Sequence, residues 1–147
     1  MLTLRSFTPE DWPVLSEHQY PGMPEAEAKQ LIADFNRGNY QGHRCFTLAV
    51  CDSNRIVGYV SLLEADDGSA SEGVEIYPPY RRRGYARAAV TQVLNLAAQW
   101  GCKTVTAQIR KDNVASLALH DQLGFVITHE FVNKRGNPVL ELTKKLP

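Results

Sequence analysis

The chain has 147 residues, 44% of them apolar and 22% charged, enough for one core and incompatible with a disordered or collagen-like chain. Sixteen basic residues balance sixteen acidic ones, giving formal net charge zero, and that weakens any nucleic-acid reading from the start. No window approaches the run of about 18 apolar residues that a membrane span needs.

The amino terminus, Met1 to Ser6, reads as folded sequence at once and shows no secretory signal. Cys45, Cys51 and Cys102 are too few for a disulfide scaffold and form no C-x-x-C pair. His18, His43, His120 and His129 show no H-E-x-x-H spacing. Reduced thiols in a cytoplasmic protein without a metal site are the expectation.

Leu2 to Phe7 alternates apolar and polar positions and predicts a strand. Thr8-Pro9-Glu10-Asp11 predicts a helix start, with Thr8 as cap, and that helix runs towards Gln19. Pro24 to Arg37 predicts a second helix, with Ala28, Leu31, Ile32 and Phe35 on one face. Cys45 to Cys51 and Ile56 to Leu63 predict a hairpin through Asp52-Ser53-Asn54-Arg55, and Glu72 to Tyr77 a third strand. Pro78-Pro79 ends that strand. The clearest helix follows, with Ala86, Ala89, Val90, Val93, Leu94 and Ala97 at helical spacing and Gly101 after it. Lys103 to Arg110 is a strand with Val105, Ala107 and Ile109 on one side. Asn113 to Leu123 is a shorter helix, and Phe125 to Val132 and Val139 to Leu146 are closing strands. The expectation is a single domain over 1–147, α/β (α+β), with a mixed, mostly antiparallel sheet of about seven strands and four helices.

The stretch that carries chemistry is Arg81-Arg82-Arg83-Gly84-Tyr85-Ala86-Arg87, at the start of the long helix. A helix start leaves backbone N–H groups unpartnered and adds partial positive charge. Gly84 and Ala86 let a ligand approach the backbone, and arginines flank the opening, which together suit a pyrophosphate. Three plainer readings compete. A dinucleotide fingerprint lacks its glycines, a nucleic-acid patch lacks stacking aromatics, and a solvated basic run is always common.

The context decides between them. Arg81-x-x-Gly84-x-Ala86 resembles the [Q/R]-x-x-G-x-[G/A] loop of the GNAT superfamily of N-acetyltransferases. Asn113-x-x-Ser116-x-x-Leu119-His120-x-x-Leu123-Gly124-Phe125 resembles that family's N-x-x-S-x-x-L-Y-x-x-L-G-F. The resemblance covers about residues 44 to 146, and before that extends only to layout. It implies a GNAT-like fold whose splayed strands form an acetyl-CoA cleft. It also implies pyrophosphate contacts from the loop, with Arg81, Arg82, Arg83, Gly84, Tyr85, Ala86 and Arg87 all taken as cofactor-binding. The pantetheine arm would lie along Val74, Ile76 and Tyr77, with Asn113 and Ser116 facing it from the shorter helix.

His120 stands where the family usually has a tyrosine, the acid that protonates the leaving thiolate. Histidinium can fill that role, and a surface or water-holding histidine is the alternative. The glutamate that some relatives carry on the neighbouring strand is Gln108 here, which leaves a water chain ending at Glu72 or Glu75, or an amine that arrives neutral. The two glutamates have opposite parity, so at most one faces the cleft. Glu75 is taken with His120 as the catalytic pair. Tyr20, Phe35, Tyr40 and His43 are the expected acceptor wall, and nothing in them names the acceptor.

The resemblance implies acetyl transfer from acetyl-CoA, as cosubstrate, to a primary amine of a small molecule or peptide. No metal, nucleic acid or membrane takes part. A homodimer through the edge at Phe125 to Leu146 is the expected further partner. The other function considered is a non-catalytic acyl-CoA-binding or regulatory module on the same fold, for which His120 and Gln108 are the sequence support.

Overall fold

In the computed structural model, which describes residues 2–147, the first turn forms as Thr8-Pro9-Glu10-Asp11 dictates. The Asp11 carboxylate accepts the Thr8 amide at 2.8 Å and is itself held by Arg5 at 2.7 Å. The elements then follow in chain order. They are β1 (Leu2–Ser6), a 3₁₀ turn (Pro9–Asp11), α1 (Trp12–Val14), a π turn (Leu15–Gln19), α2 (Glu25–Phe35), β2 (Asn39–Tyr40), β3 (His43–Asp52), β4 (Arg55–Glu64) and β5 (Ser69–Ile76). After a 3₁₀ turn at Pro78–Tyr80 come α3 (Tyr85–Gln99), β6 (Thr104–Arg110), α4 (Val114–Gln122), β7 (Val126–Val132) and β8 (Pro138–Lys145).

One eight-stranded sheet has the order β1-β3-β4-β5-β6-β8-β7, with the short β2 paired to β3. Only β5 and β6 run parallel, and every other pairing is antiparallel. The mixed, mostly antiparallel sheet is therefore as expected, with β2 added. β5 also begins earlier than expected, at Ser69 rather than Glu72. The first helix differs too: 9–19 breaks into a 3₁₀ turn, a single α turn and a wider π turn instead of one regular helix.

Helices cover both sheet faces. α3 buries Ala89, Val90, Val93, Leu94 and Ala97 against Val60, Leu62, Ala70, Ile76, Val105, Ala107 and Ile109. On the other face Phe7, Leu15, Ala28 and Ile32 pack on Ala49, Cys51, Ile56 and Tyr77. Alternation along β5 thus sends Ala70, Glu72, Val74 and Ile76 to the α3 face and Ser71, Gly73, Glu75 and Tyr77 to the α1–α2 face. The edge strand β7 exposes Val126, Ile127 and Val132. Among the described residues no helix is long and apolar enough to cross a membrane.

β4 and β5 approach closely at one point. A Cβ on Gly58 would stand 2.0 Å from the Glu75 carbonyl oxygen, so only glycine permits this rung.

Candidate active site

The parallel ladder between β5 and β6 has its last rung at Glu72 opposite Ala107. Beyond it β5 continues to Ile76 on β4, and β6 continues to Arg110 on β8. The sheet therefore splits between 73–76 and 108–110. Tyr77 donates its amide to the Val57 carbonyl at 2.8 Å. By antiparallel alternation, Val74 and Ile76 then turn their main-chain groups into the split. Of these, the Ile76 carbonyl accepts Nε of Arg81 at 2.7 Å. The rest form an open strand edge, as an added strand would need.

The loop after β5 delivers the start of α3 beside this opening. Arg82 has φ 66° and Gly84 φ 81°. The left-handed turn at Gly84 caps α3 without any side chain over its amides. The first intrahelical bond runs from Ala88 to Gly84 at 3.2 Å, so the amides of Tyr85, Ala86 and Arg87 point outward unclaimed by the helix. Side chains around them divide. Arg82 and Arg83 are exposed. Arg81 is tied to Ile76, the Tyr85 hydroxyl donates to Asp52, and Arg87 donates to Gln122 at 2.9 Å. In this segment it is the main-chain amides, rather than all of the side chains, that stand free to meet an anion.

α4 packs differently from expectation. Its polar stripe of Asn113, Ser116 and His120 was to face a ligand, with Val114, Leu117, Ala118, Ala115, Leu119 and Leu123 on the sheet. Instead Val114 is 73% exposed, Ala115 and Ala118 are exposed, and His120 is buried at 1%. The arc that carries Ser116 and His120 is the one turned inward, because His120 finds a partner inside. Asn113 is exposed and caps α4, its Oδ1 accepting the Ser116 amide at 3.2 Å. Ser116 is half-buried, and its carbonyl accepts Nδ1 of His120 at 2.8 Å.

The partner of His120 is Glu72, which sequence reasoning weighed only as a base. His120 Nε2 and Glu72 Oε1 are hydrogen-bonded, and Phe125 meets the imidazole edge-on at 4.9 Å. Glu72 is 5% exposed, and its Oε2 has no hydrogen-bond partner among the described residues. Burial would lower the His120 pKa, but the hydrogen bond and charge of Glu72, helped by the Ser116 carbonyl, raise it overall. The signal in the sequence was parity: an acid on the face of β5 otherwise occupied by Ala70, Val74 and Ile76.

Glu75 lies on the opposite face, cross-strand from Tyr59 and half-buried. Burial first, and the Glu75 carboxylate second, push the Tyr59 phenol up to about 12. Burial and the charge of Glu75 raise Tyr77 as well. Tyr77 donates to Gln19 at 3.1 Å and stacks on His18 at 4.9 Å. Tyr20 is 45% exposed nearby, contributing to the same electrostatic cluster. Among the described residues Glu75 has no cationic partner. The expected acceptor wall is thus only partly gathered. Phe35 packs on Phe7 at 5.6 Å, while Tyr40 and His43 sit on the β2–β3 hairpin, at the other end of β3 from the Ala49–Tyr59–Glu75 row.

Comparison with known proteins gives the family and the fold. A model of the Acetyltransferase (GNAT) family matches residues 5–125. An aminoglycoside N(6')-acetyltransferase type 1 of Acinetobacter baumannii is 31% identical over 120 residues, covering 76% of this chain and 77% of that protein. Two solved structures share the fold. A variant of the spermidine N-acetyltransferase SpeG of Vibrio cholerae superposes with TM-score 0.80 at 19% identity, over 98% of this chain and 93% of its own. The yncA acetyltransferase structure from Salmonella typhimurium, with its cofactor acetyl-CoA, gives TM-score 0.76 at 19% identity, over 99% and 94%.

Proposed function

The chain belongs to the GNAT family of acetyltransferases, which use acetyl-CoA, and from that premise we propose that it acetylates a primary amine of a small molecule or peptide by direct attack in a ternary complex. The observation that carries this reading is the ladder ending at Glu72 and Ala107 beside the uncapped start of α3. Together they offer a strand edge and an anion site in line.

The residues present fit acetyl-CoA. Amides of Tyr85, Ala86 and Arg87 suit a diphosphate, with exposed Arg82 and Arg83 adding charge, and Gly84 leaving room above them. Val74 and Ile76 would pair with the amide-bearing arm, and Tyr77 closes the far end by packing inward. When bound, acetyl-CoA supplies an activated acyl thioester. The chain's own part is to hold the two reactants in register and to offer main-chain donors where negative charge develops.

Two faces of β5 divide the proton work. Glu75, on the α1–α2 side with Tyr20 and Tyr59, attracts an ammonium and accepts its proton in this reading, since only the free amine attacks. His120, with Glu72, holds a proton on the α4 side. Asn113 and Ser116 act by capping and orienting α4. The relatives support an amine acceptor, since those named act on an aminoglycoside and on spermidine. A tyrosine-lined carboxylate without a cation of its own suits such a partner.

The test is a thiol-release screen with acetyl-CoA over amino acids, polyamines, aminoglycosides and peptide amino termini. Turnover with at least one amine supports the reading. Tight CoA binding with no thiol release across the panel would instead make the protein an acyl-CoA-binding module.

A further inference from the structure

Glu72 Oε2 is a buried carboxylate oxygen with no hydrogen-bond partner among the described residues, and such groups call for an explanation. Its place sharpens the question. Glu72 is the last rung of the parallel ladder, so its backbone marks the closed end of the split. Its side chain lies on the α4 face, opposite the face of Glu75. Its other oxygen is already bound to His120. Both imidazole nitrogens are in turn engaged, Nε2 by Glu72 and Nδ1 by the Ser116 carbonyl at 2.8 Å. A carbonyl only accepts, so Nδ1 carries a proton, and one further proton is shared between Nε2 and Oε1. His120 is 1% exposed and offers no free nitrogen to the cleft.

We infer that Glu72 is the catalytic group that meets the departing sulfur, and that His120 is the positioning residue that stores its proton. This rests on the acetyl-transfer reading above. As the amine nitrogen bonds to the acyl carbon, the carbon–sulfur bond breaks and its electron pair stays on sulfur. The shared proton passes to that sulfur through the Glu72 carboxyl. The pair is left as a neutral imidazole, still donating from Nδ1 to Ser116, and an ionised carboxylate. The proton shed by the amine leaves on the Glu75 side, and the pair regains its own from solvent. After turnover the product thiol S–H is a donor for Oε2, which fills the vacancy in its hydrogen bonding. From the elements packed around the pair, the contacts are Phe125 before β7, Ala107 on β6 and Ser116 on α4. Among the described residues Glu72 is the one charged group that acts on His120.

The assignment is tested with the full chain and CoA alone, then with turnover. In the CoA complex, the thiolate absorbance is followed against pH. The neighbouring carboxylate should hold the bound thiol protonated to a pH above its ordinary value of about 8.5, and E72Q should bring it back down. In turnover, E72Q should lower kcat by about 10²- to 10⁴-fold with the KM for acetyl-CoA nearly unchanged. It should also move the alkaline limb of the kcat profile to lower pH, because the carboxylate no longer holds the His120 proton. E72D should keep that limb in place while lowering kcat, since it retains the charge but withdraws the carboxyl. A bound thiol that ionises at or below the value of free CoA would overturn the assignment, whether or not E72Q folds. So would an E72Q enzyme with native kcat and native pH limb. Absence of turnover with every amine would count against the acetyl-transfer reading and leave the thiol titration to judge Glu72 by itself.

Discussion

Arg81 reaches back five residues to the main chain, donating from Nε to the Ile76 carbonyl at 2.7 Å. That bond ties the loop before α3, where the proposal seats the diphosphate, to the rim of the split, so loop and strand edge hold one geometry. Arg81→Ala should therefore loosen the loop. Losing a hydrogen bond of about 1–2 kcal/mol should weaken acetyl-CoA about tenfold, read by titration calorimetry. Arg81→Lys should not restore affinity, because lysine lacks a donor at that point of the stem.

The buried pair also has a stability signature. His120→Ala leaves the Glu72 carboxylate buried and unpaired and should cost about 3–5 kcal/mol in chemical denaturation. Replacing both residues by leucine should recover most of that loss. The His120 pKa is raised from 6.5 in the folded state, so the pair's contribution is complete below the unfolded value. It is lost as pH rises through the higher folded value. The melting temperature of the free protein should fall across that window, and the leucine pair should not show the fall.

Gly58→Ala places a methyl 2.0 Å from the Glu75 carbonyl oxygen. Backbone must move, because nothing flexible lies in the way. Overpacking of this kind costs about 1–3 kcal/mol. It should also disturb the row that carries Glu75, so the acceptor KM should rise along with the loss in melting temperature.

Glu75→Gln keeps the shape and removes the charge. If Glu75 receives the amine proton, kcat/KM for the acceptor should fall by about 10²- to 10⁴-fold, with acetyl-CoA affinity unchanged by calorimetry. Tyr59→Phe should cost far less, since the phenol stays protonated up to about 12.

Much of this architecture was legible because the signals are local. Helix spacing gave the buried face of α3, alternation gave the faces of β6, and Arg81-x-x-Gly84-x-Ala86 marked the loop before α3. What could not be read was set by partners far along the chain. Periodicity put the apolar side chains of α4 on the sheet, but the polar arc with His120 turns inward to Glu72, 48 residues away. The two-residue β2 is too short for any pattern. Side-chain commitments of Arg81, Tyr85 and Arg87 depend on Ile76, Asp52 and Gln122, which no motif names. Tyr40 and His43 belong to a hairpin whose distance from Glu75 only the sheet register reveals.

The central claim is that the α3 amides hold a diphosphate while the β5 edge pairs with the arm attached to it. Amide hydrogen exchange with and without acetyl-CoA tests it residue by residue. Slower exchange at Tyr85, Ala86 and Arg87 together with Val74 and Ile76 is the predicted result. Unchanged exchange at these positions in the saturated complex, with protection at another surface, would contradict it.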